Sequence, residues 1–163
     1  MTALLALLHY VALTASITTA MANIQPATNH DALAAQIASV AIWHPLFDDD
    51  DGTLTAAVLV ATAAQESSFR PGAVGDHGRA FGLCQVWRRS DLMDPTANLI
   101  EAARQLRVSF AMCPRSMYSP YLSGKCTTDR RVRRLSAHRE ALAASVLRDM
   151  TAPDLSAAVS VRP

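Results

Sequence analysis

The sequence has few aromatic residues, few cysteines and no long alternating run of β-branched residues. Aromatic residues make up 6% of the 163 residues, whereas half of the residues are apolar and alanine is frequent. Alanine favours helices, and the missing alternation argues against an extensive half-buried sheet. The sequence therefore predicts an all-α protein whose apolar content can fill the core of one domain.

The three cysteines, Cys84, Cys113 and Cys126, are too few for a disulfide-dense scaffold, and no C-x-x-C pair with matching histidines predicts a zinc site. The acidic run 47–53 (FDDDDGT) has apolar residues where a calcium loop needs its first and last ligands, so a solvated turn explains it better. We therefore expect no metal and no cofactor. Cys113 and Cys126 could form a disulfide in an exported protein, which would leave Cys84 free.

Basic residues are missing from residues 1–69, which contain six acids, whereas residues 70–163 contain 15 basic and eight acidic residues. A basic half attracts nucleic acid, anionic lipid or cell-wall carboxylates through the same long-range field, so charge alone does not choose among them. The arginine cluster 130–134 lies just before the predicted helix 135–148, has no interleaved aromatic platform and is typical of a solvated face. We expect no nucleic-acid partner, and a DNA-binding protein is the least favoured alternative.

The N-terminus begins with an apolar stretch at residues 3–13, followed by an A-x-A cleavage motif at residues 20–22. This pattern predicts a signal peptide over residues 1–22, removed on secretion, although a basic n-region is missing. The stretch is too short for a membrane span, so we expect no stable membrane insertion. The alternative is that it forms the first core helix. A folded domain over residues 23–150 and a flexible tail over 151–163 complete the predicted organisation.

Capping residues and apolar spacing predict the other helices. They should run from Asn29 or Asp31 to about Trp43, from Leu54 to about Ser68 with Thr53 as cap, from about Thr96 to Met112 after Asp94-Pro95, and from about Leu135 to Arg148. Residues 71–91 are rich in glycine and turn formers, which predicts an ordered loop with a short hairpin. Such loops commonly line functional sites.

One acidic side chain lies on the apolar face of the predicted helix 54–68. Glu66 is one turn from Thr62 and Ala63 and two turns from Leu59, so its carboxyl belongs to the apolar stripe. Burial raises the pKa of a carboxyl group, which lets a glutamic acid donate a proton near neutral pH. The alternative is a helix-end glutamate that faces solvent or caps the next loop.

Two motif blocks begin at Glu66. The first block is Glu66-Ser67-Ser68-Phe69-Arg70-Pro71 followed by Ala73-Val74, and the second is Gly78-Arg79-Ala80-Phe81-Gly82-Leu83-Cys84-Gln85. They resemble the E-S-x-F-x-P-x-A-V and G-A-x-G-L-x-Q blocks of the lytic transglycosylase (SLT) and goose-type lysozyme families. The resemblance continues through Asp94-Pro95-x-x-Asn98 and Ala102-Ala103-x-x-Leu106 and covers about residues 31–148.

The resemblance implies a lysozyme-like fold and a role for several residues. In the family the glutamate protonates the bond after N-acetylmuramic acid and then acts as base while the sugar's 6-hydroxyl closes a 1,6-anhydro ring, so Glu66 takes that catalytic role. Ser67 and Gln85 match residues that contact the N-acetyl sugars. Tyr121 matches a tyrosine beside the glutamate, with Tyr118 as a competing choice.

The sequence departs from the family pattern at three places. One extra residue lies between Val74 and Gly82, Cys84 replaces a methionine, and the A-Y-N-A-G motif becomes residues 120–124 (PYLSG), without the asparagine. Asp76 in the first of these segments is a possible second carboxylate, which would place water in an inverting hydrolase. Its alternative role is to stabilise the turn.

The resulting prediction is a monomeric lytic transglycosylase that cleaves the glycan strands of peptidoglycan. It would act without a cofactor in the periplasm, outside the cell or as part of a phage particle. One alternative is a hydrolytic muramidase that uses Glu66 and Asp76. Another is a non-catalytic peptidoglycan-binding or assembly module with the same fold.

Overall fold

The computed structural model describes residues 3–152, which form six helices and a small three-stranded sheet. The helices are α1 (Ala3–Ile24), α2 (Asp31–Trp43), α3 (Thr53–Ser67), α4 (Pro95–Met112), α5 (Ser119–Ser123) and α6 (Arg130–Thr151). The strands are β1 (Val74–Gly75), β2 (Ala80–Phe81) and β3 (Val86–Trp87). The mainly helical fold with a short hairpin region confirms the predicted fold class. Most of the predicted tail, from residue 153 on, lies outside the described residues.

The start of α3 differs from its prediction in the residue that caps it. Thr53 is the first helical residue, and the side chain of Asp50 accepts hydrogen bonds from the backbone N–H groups of Gly52, Leu54 and Thr55. A carboxylate is a stronger acceptor than a threonine hydroxyl, and its charge suits the positive end of the helix. The acidic run therefore caps this helix through Asp50.

The helix α4 and the sheet follow their predictions closely. Asp94 caps α4 by accepting a hydrogen bond from the backbone N–H of Ala97, and Pro95 occupies the first turn, where its missing N–H costs nothing. The strands pair antiparallel in the order β1-β2-β3. They lie inside the glycine-rich loop, which they fold into two tight turns.

The last helix is longer than the prediction of residues 135–148, because it begins at Arg130 and continues to Thr151. The side chain of Asp129 accepts hydrogen bonds from the backbone N–H groups of Arg131 and Val132, so it caps the helix five residues earlier than expected. The arginine cluster is thus the exposed first turn of α6.

The second half of α1 belongs to the core. Leu13, Ile17, Ala20 and Met21 are buried there, and α1 packs against α2, α3 and α6. In contrast, all side chains of residues 3–8 are exposed. By length and composition α1 would also suit a membrane span or a signal sequence. Its buried residues favour the alternative of a first core helix over removal of residues 1–22.

A disulfide joins Cys113, at the end of α4, to Cys126, which precedes α6. This is the pairing that the sequence offered, and Cys84 is the free cysteine, buried in the core. The bridge closes a loop with a sequence separation of 13 residues. A loop of this length is worth roughly 3 kcal/mol through the unfolded state. The bridge holds α5, which lies inside the loop, against the rest of the domain.

Candidate active site

A groove with a volume of about 960 Å³ lies between the sheet, α4 and α5. Residues from four parts of the chain line it, including Glu66 of α3, Asp76, Gln85 and Trp87 of the sheet region, Arg104 of α4 and Tyr121 of α5. The groove therefore contains the predicted catalytic residue, the possible second carboxylate and two of the three predicted sugar contacts.

Glu66 lies in the last turn of α3, at the point where the helix meets the groove. Ser68 ends the helix in a left-handed conformation (φ 52°), and Phe69 follows at φ 59°, so the chain turns away sharply just after Glu66. The side chain is 17% exposed. Burial raises the pKa of Glu66, and the neighbouring guanidinium of Arg139 opposes this shift without cancelling it. These properties suit a proton donor.

Arg139, a residue that the sequence analysis missed, forms an ion pair with Glu66. Its Nη2 donates to Oε1 of Glu66 at 2.7 Å, and its side chain is 8% exposed. The spacing of the buried residues of α6 could have revealed this arginine. These residues form a stripe with steps of three and four positions: Ser136, Arg139, Ala143, Val146 and Met150. An arginine on a buried stripe requires an anionic or polar partner.

The two candidate tyrosines have different surroundings. Tyr121 lines the groove, and its hydroxyl donates to the backbone carbonyl of Cys84 at 2.7 Å. Burial raises its pKa well above the usual value, with further contributions from Cys84 and Glu66, so the hydroxyl stays protonated as a donor. Tyr118 is fully buried. Its hydroxyl lies 3.4 Å from the hydroxyl of Thr62 and 3.4 Å from the backbone carbonyl of Val58. Tyr121 is therefore the groove tyrosine, and Tyr118 is a core residue.

A buried asparagine fixes the turn of the second motif block. Asn98 accepts a hydrogen bond from the N–H of Cys84 and donates to the carbonyls of Phe81 and Leu92. Gly82, at φ 76°, lies so close that an added Cβ would stand 2.3 Å from Asn98 Nδ2. Only glycine fits this position without a shift. The D-P-x-x-N segment of α4 thus holds the turn that carries Gln85.

Gln85 and Ser67 use their polar atoms within the protein. The amide of Gln85 lines the groove, yet its Nε2 donates to the carbonyls of Ala73 and Gly82. Ser67 is buried, donates to the carbonyl of Ala63 and accepts from the N–H of Arg70, and it does not line the groove. The structure therefore places Ser67 in the end turn of α3, and a sugar contact by this residue stays a prediction.

Asp76 lines the groove beside the first hairpin turn and is about half exposed. Its carboxylate lies 3.5 Å from Arg79, and its backbone has a left-handed conformation (φ 45°). Within the described residues, all six non-glycine residues with positive φ fall between Ser68 and Arg88. Such strain persists where the surrounding structure over-determines it, commonly at functional sites. It is concentrated here in the segment that borders the groove.

Trp87 forms an exposed aromatic wall of the groove. The side chain is 46% exposed, and the guanidiniums of Arg79 and Arg88 lie 5.0 and 5.9 Å from the centre of its ring. Sequence reasoning did not single out this tryptophan, which follows the Gln85 motif directly. An exposed ring in a groove offers a flat apolar surface for the face of a sugar or another planar group.

We expect that Asn98→Ala lowers the free energy of unfolding by about 2–4 kcal/mol, because it removes the partners of three backbone groups, two of them in buried hydrogen bonds. Urea denaturation measures this effect. Asn29→Ala is a matched control, since exposed Asn29 accepts one hydrogen bond from the N–H of Asp31, and it should cost about 0.5 kcal/mol. Equal losses in the two variants would contradict the role given to Asn98.

Comparisons of the chain with protein-family models, characterised proteins and solved structures find no match. The case for a function therefore depends on the motif resemblance and on the geometry of the groove.

Proposed function

We propose that the protein is a peptidoglycan lytic transglycosylase that cleaves the β-1,4 bond between N-acetylmuramic acid and N-acetylglucosamine. The observation that carries the proposal is Glu66, a glutamate 17% exposed at the wall of a groove of about 960 Å³. Burial raises its pKa, as a general acid requires near neutral pH. The groove lies at the upper end of volumes for small-ligand pockets, which suits several linked sugar rings.

Other carboxylates near the groove are poorer proton donors. Hydrogen bonds from Arg104 and Gln105 lower the pKa of Glu101 to about 2, so this carboxyl is ionised at neutral pH. Asp76 lies beside Arg79 and is about half exposed. Of the two carboxyl groups that line the groove in the described residues, Glu66 is the more buried. One such acid supports the mechanism in which the substrate's own 6-hydroxyl is the nucleophile, since an intramolecular attack has a large entropic advantage. Glu66 then acts first as acid and next as base.

A hydrolytic muramidase is the second candidate function, because Asp76 lines the same groove as Glu66. In an inverting hydrolase the two carboxyl groups stand roughly 6.5–9.5 Å apart, so that water fits between them and the sugar. The transglycosylase needs no second carboxylate, and Asp76 is about half exposed beside Arg79. We therefore favour the transglycosylase.

A zymogram with purified peptidoglycan tests the proposal against a non-catalytic binding or assembly module. We expect a cleared band from the full chain, in the absence of added metal or cofactor. A folded protein that binds the wall and leaves it intact would instead support the binding module. Because the substrate is the cell wall, we propose that the protein acts in the periplasm, outside the cell or on a phage particle.

A further inference from the structure

The ion pair behind the groove assigns different roles to the two oxygens of Glu66. Arg139 Nη2 donates to Oε1, and this is the guanidinium's only hydrogen bond in the part of the chain that the structure describes. The pair joins α3 to α6 across a buried contact, with the two side chains 17% and 8% exposed. Within residues 3–152, no hydrogen bond is made by Oε2.

The chemistry of a guanidinium determines where a proton can be on this carboxyl group. A guanidinium has donors and no acceptor, and it cannot lose its proton in a protein. In the neutral acid, the carbonyl oxygen is the stronger acceptor of the two, so it is the oxygen that faces the donor of Arg139. That oxygen is Oε1, so the proton of the acid is carried by Oε2. Because Glu66 lines the groove, Oε2 is the oxygen that remains for a substrate.

We propose that Arg139 is the positioning residue of this site, which fixes Oε2 as the proton-carrying oxygen and stabilises the carboxylate between the two proton transfers. The inference rests on the proposed function. In the first transfer, the Oε2 proton moves to the glycosidic oxygen while the bond from that oxygen to C1 of N-acetylmuramic acid breaks. The bonding electron pair leaves with the oxygen, which becomes the 4-hydroxyl of the released N-acetylglucosamine.

In the second transfer, the 6-hydroxyl oxygen bonds to C1, and its proton moves to Oε2. Glu66 ends as the neutral acid, so atoms and charge balance without water or any other reactant. Between the transfers Glu66 is an anion, and Arg139 is the cation that contacts it. The other titratable groups near it are neutral at pH 7, because burial raises the pKa of both Cys84 and Tyr121. Asp76 lines the same groove and lies 3.5 Å from Arg79.

Removing Arg139 should change the pH dependence as well as the rate. Without the guanidinium, nothing opposes the effect of burial, so the pKa of Glu66 rises further. The first proton transfer needs protonated Glu66, and activity therefore falls as pH rises through that pKa. In Arg139→Met this descending limb should move to higher pH. The maximal rate should fall, because the carboxylate formed by the transfer loses its partner.

The test compares Arg139→Met, Arg139→Lys and the control Arg134→Met, an exposed arginine on the same helix with the same loss of charge. kcat, KM and their pH profiles are measured on soluble glycan fragments, and the pKa of Glu66 is measured directly by carbon-13 NMR. We expect kcat to fall about 10- to 100-fold in R139M with KM unchanged, and both the pH limb and the NMR pKa to rise. R139K should restore most of the pKa and part of kcat, and R134M should match the wild type.

The inference would be overturned by an R139M protein in which the pKa of Glu66 and the descending limb of the pH–activity profile are the same as in the wild type. Arg139 would then be a purely structural residue. If R139M does not fold, R139Q, which keeps a donor and removes the charge, is measured with the same two outcomes. The NMR titration needs no substrate. A wild-type protein that cleaves no peptidoglycan would therefore defeat the proposed function, while the titration still decides separately whether Arg139 sets the proton affinity of Glu66.

Discussion

Glu66→Gln should abolish wall lysis while the protein remains folded. The amide keeps the size of the side chain, and its oxygen can still accept the hydrogen bond from Arg139. The amide has no acidic proton to give, so we expect cleavage to fall about 100- to 10,000-fold. Turbidity loss of a peptidoglycan suspension gives the rate, and circular dichroism checks the fold.

Asp76→Asn is the matched control for this experiment, because it removes a carboxylate charge from the same groove. Under the proposed mechanism it should retain most of the activity, since Glu66 performs both proton transfers and Asp76 only pairs with Arg79 at the surface. Wild-type lysis by a folded Glu66→Gln protein would remove Glu66 from the mechanism. A loss of activity in Asp76→Asn as large as in Glu66→Gln would instead favour the muramidase.

Deletion of residues 1–22 should prevent stable folding, because this segment contributes Leu13, Ile17 and Met21 to the core, each of them 5% exposed or less. Burying a side chain of this size is worth about 1.5–3 kcal/mol, so the three together contribute roughly 5–9 kcal/mol. That sum is comparable to the whole stability of a typical domain, about 5–15 kcal/mol. Urea denaturation of the shortened chain should show no cooperative transition or a much lower midpoint.

A deletion of residues 1–8 gives the control for that prediction. Residues 3–8 are all exposed, so removing this part of α1 takes no side chain from the core. We expect its midpoint to match that of the full chain. A chain starting at residue 23 with an unchanged midpoint would show instead that the core closes without α1, as removal of a signal peptide requires.

The parts of the fold that the sequence predicted are those with strong local signals. The Asp94-Pro95 pair and the apolar spacing after it predicted α4 to within one residue, and α2 ends at Trp43 as predicted. The start of α6 was missed because Asp129 was not recognised as the residue that caps this helix. Without that cap, the four arginines read as a solvated segment before the helix. The place of α1 was left open, since an apolar N-terminal helix has the same composition in a signal peptide and in a core.

The candidate site depends on contacts that sequence spacing does not contain. The motif blocks pointed to Glu66 and Gln85, which both line the groove. Arg139 lies 73 positions after its partner Glu66, and only the packing of α6 on α3 brings the two together. Ser67 was placed with the sugar contacts by the family resemblance, whereas in the structure it lies in the end turn of α3 and does not line the groove.

The products released from purified sacculi test the central proposal most directly. Mass spectrometry of the muropeptides should find chain ends of 1,6-anhydro-N-acetylmuramic acid, about one water lighter than hydrolysed ends, because the 6-hydroxyl of the substrate replaces water as the nucleophile. Digestion by the full chain in heavy-oxygen water should leave the new ends unlabelled. Products that carry only reducing ends, with oxygen from the solvent, would contradict the transglycosylase and assign the site to a hydrolase.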